Sequence, residues 1–113
     1  MAGAFYQQVA YRIRAAVTVD RYGNEVRDWG SATRTVMPGI NIQPLAGDEM
    51  TGDRSALTRR LRLISWRGMT LDLLPTDRVE VGGVAHEVDG PIGFFVSYGR
   101  LHHEEAELKV VTG

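Results

Sequence analysis

The sequence contains no cysteine, which excludes disulfides, thiolate metal ligands and cysteine nucleophiles together. No stretch approaches the roughly 18 consecutive apolar residues of a membrane-spanning helix. The first residues lack the basic segment followed by an apolar segment that marks a signal peptide. The net charge is −1 at pH 7, so bulk charge does not predict a nucleic-acid-binding protein. The length of 113 residues fits one domain with a small core.

Few residues are candidates for chemistry. The sequence has no nucleophile elbow, phosphate-binding loop or dinucleotide-binding fingerprint. His102 and His103 are adjacent, and neighbouring residues on a strand point to opposite faces, so we expect only one of them at any given site. Asp48, Glu49 and Asp53 could chelate a hard cation, but they lack the spacing of an EF-hand, and a solvated acidic loop is the simpler interpretation. We therefore predict that the chain is not an enzyme and has no catalytic residue, cofactor or metal.

What the sequence has in abundance is alternation of apolar and polar residues, which predicts β-strands. A turn or a long hairpin loop is expected over Asp20–Asp28, and Pro38 and Pro44 predict an edge strand or irregular strand ends. A helix over Phe5–Ala16 also fits the spacing, although a strand fits better from Tyr11. The predicted extended segments are Tyr11–Val19, Thr33–Leu45, Leu57–Trp66, Met69–Pro75, Thr76–Gly90 and Glu104–Val111. The segment Pro91–Leu101 is aromatic and interrupted by glycines. We predict an all-β fold, a small β-barrel of about six or seven short strands with one long protruding loop.

The segment Thr76–Gly90 predicts its own register. Gly82-Gly83 suits a two-residue primed turn because glycine readily adopts positive φ. The predicted facing pairs are Val81 with Val84, Glu80 with Ala85, Val79 with His86, Arg78 with Glu87 and Asp77 with Val88.

The predicted domain organisation has three parts. Residues 1–10 form an N-terminal arm, and residues 11–113 form one barrel domain. A loop over residues 46–56 protrudes from the barrel, because Ala46–Ser55 is rich in glycine and acids and poor in apolar anchors.

Charge is distributed unevenly along the chain. Five arginines and no acid lie between Arg54 and Arg67, and three acids lie between Glu104 and Glu107. Such strands could attract each other head-to-tail between protomers, pair within one chain, or simply be solvated. The candidate subunit-interface residues are Arg59, Arg60, Arg62, Trp66, Arg67, Glu104, Glu105 and Glu107.

The order of these segments resembles a known family. "VTVDRYGNEV", "PGINIQP", a polar loop, "TDRVEVGGVAHEVDG" and a final "HHEEAELKVVTG" together resemble the head-to-tail stopper proteins of long-tailed bacteriophages, also called head-completion or head-closure proteins. The resemblance covers about Val17 to Gly113. Its most specific part is "DRVEVGGVAHEVDG", followed at a distance by "LKVVTG".

The resemblance implies a small β-barrel with a long loop between its second and third strands. Copies of the chain are expected to form a hexameric ring at the head–tail junction of the virion, after assembly in the host cytoplasm. The implied partners are an adaptor protein above, tail terminator or tail proteins below, and packaged DNA in the channel through non-specific contact; no membrane is involved. The ring is expected to retain the genome and to provide a platform for the tail.

The resemblance also implies a role for the long loop as a channel plug or gate. Here it corresponds to Ala46–Ser55, extended at most to Arg59. Its acids repel DNA, which suits a slippery channel lining as well as a plug, and both alternatives stay open. The candidate gate residues are Asp48, Glu49, Met50, Asp53 and Arg54.

Two other functions fit the sequence. One is another virion ring protein, such as a tail terminator. The other is a small nucleic-acid-binding β-barrel, which requires Arg60, Arg62 and Arg67 to share a face with Trp66.

Overall fold

The alternating segments form eight β-strands in the computed structural model, which describes residues 9–45 and 60–111. The strands are β1 (Ala10–Val19), β2 (Glu25–Met37), β3 (Ile40–Pro44), β4 (Arg60–Ser65), β5 (Arg78–Val81), β6 (Val84–Val88), β7 (Gly93–Ser97) and β8 (Arg100–Val110). The all-β prediction is confirmed, with one or two strands more than expected. The helix alternative is wrong over Ala10–Ala16, which lie in β1. In the described ranges, no helix of a length and apolarity that could cross a membrane occurs.

All eight strands belong to one antiparallel sheet. Its order is β2-β1-β5-β6-β8-β4-β3, and β7 pairs with the first half of β8. The two end strands, β2 and β3, are consecutive in sequence and are joined only by Pro38 and Gly39, whose φ is 67°. Two linking residues keep the ends of the sheet close together, so the sheet is rolled. The predicted small β-barrel takes the form of a rolled sheet that is not closed, because the ladders of the described strands do not join β2 to β3.

The prolines lie where a sheet tolerates them. Pro38 is in the corner between the end strands, and Pro44 is the last residue of the end strand β3. The predicted edge position is therefore confirmed. The corner also divides the predicted segment Thr33–Leu45 into two strands, so that residues 46–59 follow the third strand and not the second.

The core lies on the inner face of the rolled sheet. In β4 and β8, alternate residues such as Leu61, Leu63 and Leu108 are buried, while the residues between them point outward. The buried apolar side chains are Ala10, Met37, Ile40, Ile42, Leu61, Leu63, Leu71, Leu73, Val79, Val81, Ala106 and Leu108.

The hairpin of β5 and β6 has the predicted register. Arg78 faces Glu87, Val79 faces His86, Glu80 faces Ala85 and Val81 faces Val84. Gly82 and Gly83 both have positive φ, 59° and 81°, as a primed turn requires. The ladder begins at Arg78, so the predicted pair of Asp77 with Val88 falls outside it.

The predicted strand over Met69–Pro75 is wrong. Asp72 has a φ of 50°, which interrupts an extended chain. The backbone N–H of Leu71 donates to the side chain of Glu104 in β8, with Oε1 as acceptor at 3.1 Å, and not to a backbone carbonyl of a strand. Leu71 and Leu73 are nevertheless buried, so this irregular segment contributes to the core without joining the sheet.

Candidate interaction surface

Two hairpins extend beyond the body of the sheet at the same end. One row of paired residues crosses the body, from Ile13 to Arg78 to Glu87 to Lys109. The steps from β1 to β5 to β6 to β8 are all antiparallel, so β8 runs opposite to β1. The end of β1 and the start of β8 therefore lie on the same side of this row, at one end of the sheet body. We call residues 15–28 the β1–β2 arm and residues 93–103 the β7–β8 arm.

Both arms carry exposed apolar side chains. On the β1–β2 arm these are Val17, Val19, Tyr22 and Val26, with Tyr22 78% exposed. On the β7–β8 arm they are Phe94, Phe95, Val96 and Tyr98, with Phe94 66% and Tyr98 101% exposed. This concentration differs from the scattered single apolar residues of an ordinary surface.

The β1–β2 arm is closed by a compact turn. The Asp20 carboxylate accepts hydrogen bonds from the backbone N–H groups of Tyr22 and Asn24, each at 2.9 Å. Strand β2 begins at Glu25, so the predicted turn over Asp20–Asp28 is shorter than expected, ending at Asn24. Because the turn is short, β2 extends further than predicted, and Val17, Val19 and Val26 lie on the paired ends of β1 and β2, away from the core.

Arginine side chains of β1 secure the base of the β1–β2 arm. Arg14 donates two hydrogen bonds to Asp77, Nε to Oδ1 at 3.0 Å and Nη2 to Oδ2 at 2.8 Å. Asp77 is buried and also accepts from the N–H of Leu74. The hydrogen bond to Asp77 raises the pKa of Arg14, against the opposing effect of burial. Arg12 Nη1 makes a second ion pair with Asp72 Oδ2 at 2.7 Å.

The outer face of the same region is covered by arginine–aromatic pairs. The Arg34 guanidinium lies 3.5 Å from the ring centroid of Tyr11, and that of Arg78 lies 4.1 Å from Trp29. Arg34 Nε also donates to Glu80 Oε1 at 2.8 Å, and this hydrogen bond raises the pKa of Arg34. These contacts fix the arm's base on both faces of the sheet.

On the β7–β8 arm, the core face of the sheet continues into solvent. Phe94 faces Glu104 across the ladder, and Val96 faces Leu101. Since the side chains of a facing pair lie on the same side of a sheet, Phe94 extends the face that carries Ala106 in the body. Phe94 and Val96 are exposed.

A bulge in β8 shapes this arm. Phe95 pairs with His103 but Val96 pairs with Leu101, which leaves His102 as the extra residue. The prediction that the two adjacent histidines point apart is therefore wrong, because a bulge turns neighbouring side chains toward one side. His102 Nδ1 lies 2.9 Å from His103 Nδ1, and His103 Nε2 lies 2.8 Å from Glu105 Oε2.

While both rings are neutral, the chemistry of these contacts assigns the protons. An ionised Glu105 only accepts, so His103 Nε2 must donate. A neutral His103 then accepts at Nδ1, and His102 must donate from its own Nδ1. Phe95 stacks on His103 with ring centroids 4.6 Å apart, so the hydrogen-bonded chain also orients an aromatic side chain of the arm. In the described part of the chain, no group of three or more acidic or histidine ligands is arranged to hold a metal ion.

The two charged strands predicted from the sequence are neighbours within one chain. Arg62 faces Glu107 and Ile64 faces Glu105 in the β4–β8 ladder. Arg60 Nη2 lies 3.0 Å from Asp89 Oδ2 and 3.1 Å from Glu107 Oε1. The Arg62 guanidinium lies 3.9 Å from Glu105 and 3.8 Å from Glu107. Of the three alternatives, pairing within the chain is the one found, which weakens the argument for charge attraction between protomers on these strands.

The remaining interface candidates are in different surroundings. Glu104 is buried, and its polar groups have partners there: the side chain accepts from the N–H of Leu71, and the backbone N–H donates to Ser65 Oγ at 2.8 Å. Trp66 and Arg67 are exposed and line an open groove of about 460 Å³ with Asn41. Arg59 and the gate candidates Asp48, Glu49, Met50, Asp53 and Arg54 lie outside the described residues, and their roles stay predictions.

No family model and no curated protein matches the chain. The fold is similar to the solution structure of protein SF1141 from Shigella flexneri 2a, with a TM-score of 0.52 and 13% sequence identity. That similarity covers 92% of this chain and 91% of the other. At this identity the likeness shows a shared fold.

Proposed function

We propose that this chain is a structural virion protein, a ring-forming head-to-tail connector subunit of a long-tailed bacteriophage. In this role it closes the DNA-filled head, helps to retain the genome and provides a platform for tail attachment. The observation that carries the proposal is the pair of apolar arms at one end of a rigid β-sheet.

The arms have the dimensions of a contact surface. From their exposures and the usual areas of valine and aromatic side chains, each arm presents on the order of 400–500 Å². On the β1–β2 arm this area is divided between two faces, because Val26 pairs with Thr18 and therefore points away from Val17 and Val19. Exposed apolar side chains concentrated in this way are still more typical of interaction sites than singly scattered ones. A standard interface buries about 800 Å² on each partner, so the apolar side chains of one arm supply roughly half of such an interface, and polar and backbone atoms of the arm must supply the rest.

The order of the sequence segments supports the same function. The hairpin that is most specific for the stopper family has the register that its glycines predict. A subunit of such a ring requires a stiff body and projecting contacts, which the β-sheet and its arms provide.

A tail terminator, the alternative among virion ring proteins, would use the same arms, and its position in the particle separates it from a stopper. A nucleic-acid-binding barrel is less well supported. Arg60 and Arg62 are paired with carboxylates, whereas phosphate binding requires arginines that are available to the ligand.

The proposal is tested by removing the chain from a phage that encodes it. We expect filled heads to accumulate without tails and to lose their DNA, and expression of the intact chain in the same cells to restore infectious particles. Tailed particles that keep their genome in the absence of the chain contradict the proposal.

A further inference from the structure

The two arms differ from each other in net charge. The β1–β2 arm has three acids and two arginines, at Asp20, Arg21, Glu25, Arg27 and Asp28. The β7–β8 arm has a single charged residue other than histidine, Arg100, and its strand β7 carries no charge. The first arm is thus net acidic and the second net basic.

From this difference we infer that the β7–β8 arm of one copy packs against the β1–β2 arm of the next copy. The inference rests on the proposed function for the expectation that copies assemble, and it names the surfaces through which they do so. The contact places Phe94, Val96 and Tyr98 of one subunit on Val17, Val19 and Tyr22 of its neighbour.

Charge favours contact between unlike arms. Two β1–β2 arms would bring like net charges together, as would two β7–β8 arms, and like charges across an interface select against a pairing. The unlike pairing sets the acids around Tyr22 near Arg100 at the rim of the contact.

Coverage of the apolar surface favours the same pairing. A symmetric dimer through one arm leaves the other arm of each copy exposed to water. A head-to-tail contact covers both arms with a single kind of interface. Because such a contact is heterologous, it repeats from copy to copy and closes into a ring when the rotation permits.

The stability of the arms points to the same conclusion. Beyond the row through Ile13, the described part of β1 pairs with β2 alone. An isolated two-stranded hairpin is marginally stable in water. Packing against a neighbouring arm supplies the third layer of contacts that such a hairpin requires.

Engineered cysteines test the contact directly, because the chain has none of its own. In the full chain carrying both Tyr22→Cys and Tyr98→Cys, mild oxidation is expected to give a ladder of covalent oligomers. Each single variant is expected to stay monomeric on a non-reducing gel. The control variant is Val36→Cys with Val84→Cys, at two exposed positions of the sheet body, and it is expected to give no ladder. Covalent dimers from Tyr98→Cys alone contradict the inference, since they show like arms in contact.

A second measurement does not depend on the geometry of a disulfide. Val19→Asp and Val96→Asp are each expected to abolish self-association at the highest soluble concentration, as measured by analytical ultracentrifugation. An equimolar mixture retains one intact contact and is expected to form a 1:1 dimer that does not grow. Val36→Asp is expected to associate like the unchanged chain. Failure of the mixture to form that dimer overturns the inference.

The outcomes separate this inference from the proposed function. In phage particles, a ring of this chain at the head–tail junction in which the cysteine pair does not cross-link refutes the contact and leaves the function standing. Cross-linked copies found elsewhere than at that junction support the contact and refute the function.

Discussion

At the scale of single residues, Asp77 connects the base of the β1–β2 arm to the irregular segment before β5. Its carboxylate is buried and accepts hydrogen bonds from Arg14 and from the N–H of Leu74. We predict that Asp77→Ala lowers the free energy of unfolding by about 2 kcal/mol, since hydrogen bonds to charged groups contribute about 1.5–3 kcal/mol and the partly exposed Arg14 can regain water.

Urea unfolding measures this change. The matched control is Glu80→Ala, which removes the partner of the exposed Arg34 and is expected to have a smaller effect. Equal losses for the two variants contradict the importance assigned to the buried carboxylate.

The histidine pair makes a second prediction at this scale. At a pH where both rings are neutral, the hydrogen-bonded chain requires His102 to carry its proton on Nδ1 and His103 on Nε2. Long-range proton–nitrogen NMR spectra distinguish the two tautomers. In Glu105→Ala, His103 is expected to lose its fixed tautomer. Finding His102 as the Nε2–H tautomer in the unchanged chain contradicts the assignment.

At the scale of elements, the turn between β7 and β8 contains a residue in an unfavourable backbone conformation. Tyr98 has a φ of 53° and is completely exposed, although a bulky side chain in this conformation costs roughly 1–2 kcal/mol. We predict that Tyr98→Asn raises the free energy of unfolding by about 1 kcal/mol, because asparagine suits a primed turn.

The same substitution is expected to weaken contact between copies, because it removes the most exposed aromatic ring of the β7–β8 arm. Thermal unfolding and sedimentation together measure the two effects. A variant that is both more stable and equally associated shows that Tyr98 has no part in the interface.

Elements differ in how far the sequence predicts them. The β5–β6 hairpin is predictable because Gly82-Gly83 and the alternation on both sides fix the same register. The segment Met69–Pro75 is not, since its leucines alternate like a strand while Asp72 interrupts the backbone. The bulge at His102 is equally hidden, because it depends on which residues of β7 face β8.

At the scale of the whole molecule, the arms could not be predicted because alternation does not show where a sheet ends. Val17 and Val19 continue the pattern of Tyr11 and Ile13, yet they lie beyond the reach of the four-residue strand β5. Likewise, the opposite charges of β4 and β8 suggest contact between protomers until the ladder shows the strands side by side.

One substitution in the core and one on the β7–β8 arm test whether the body of the sheet provides stability and the arm provides contact. Leu108→Ala, in the core, is expected to destabilise the fold by about 2–5 kcal/mol. Phe94→Ser, on the β7–β8 arm, is expected to change stability by no more than about 0.5 kcal/mol and yet to reduce tail joining in a phage that carries it. A large loss of stability from Phe94→Ser, measured by urea unfolding, contradicts the assignment of this side chain to a contact surface.

Electron cryomicroscopy of the native particle is the decisive test of the proposal that this chain is a connector subunit. We expect a closed ring of copies between the head and the tail, with the arms of neighbouring subunits in contact. Finding the chain along the tail tube, or finding no copy of it in the particle, contradicts the proposed function.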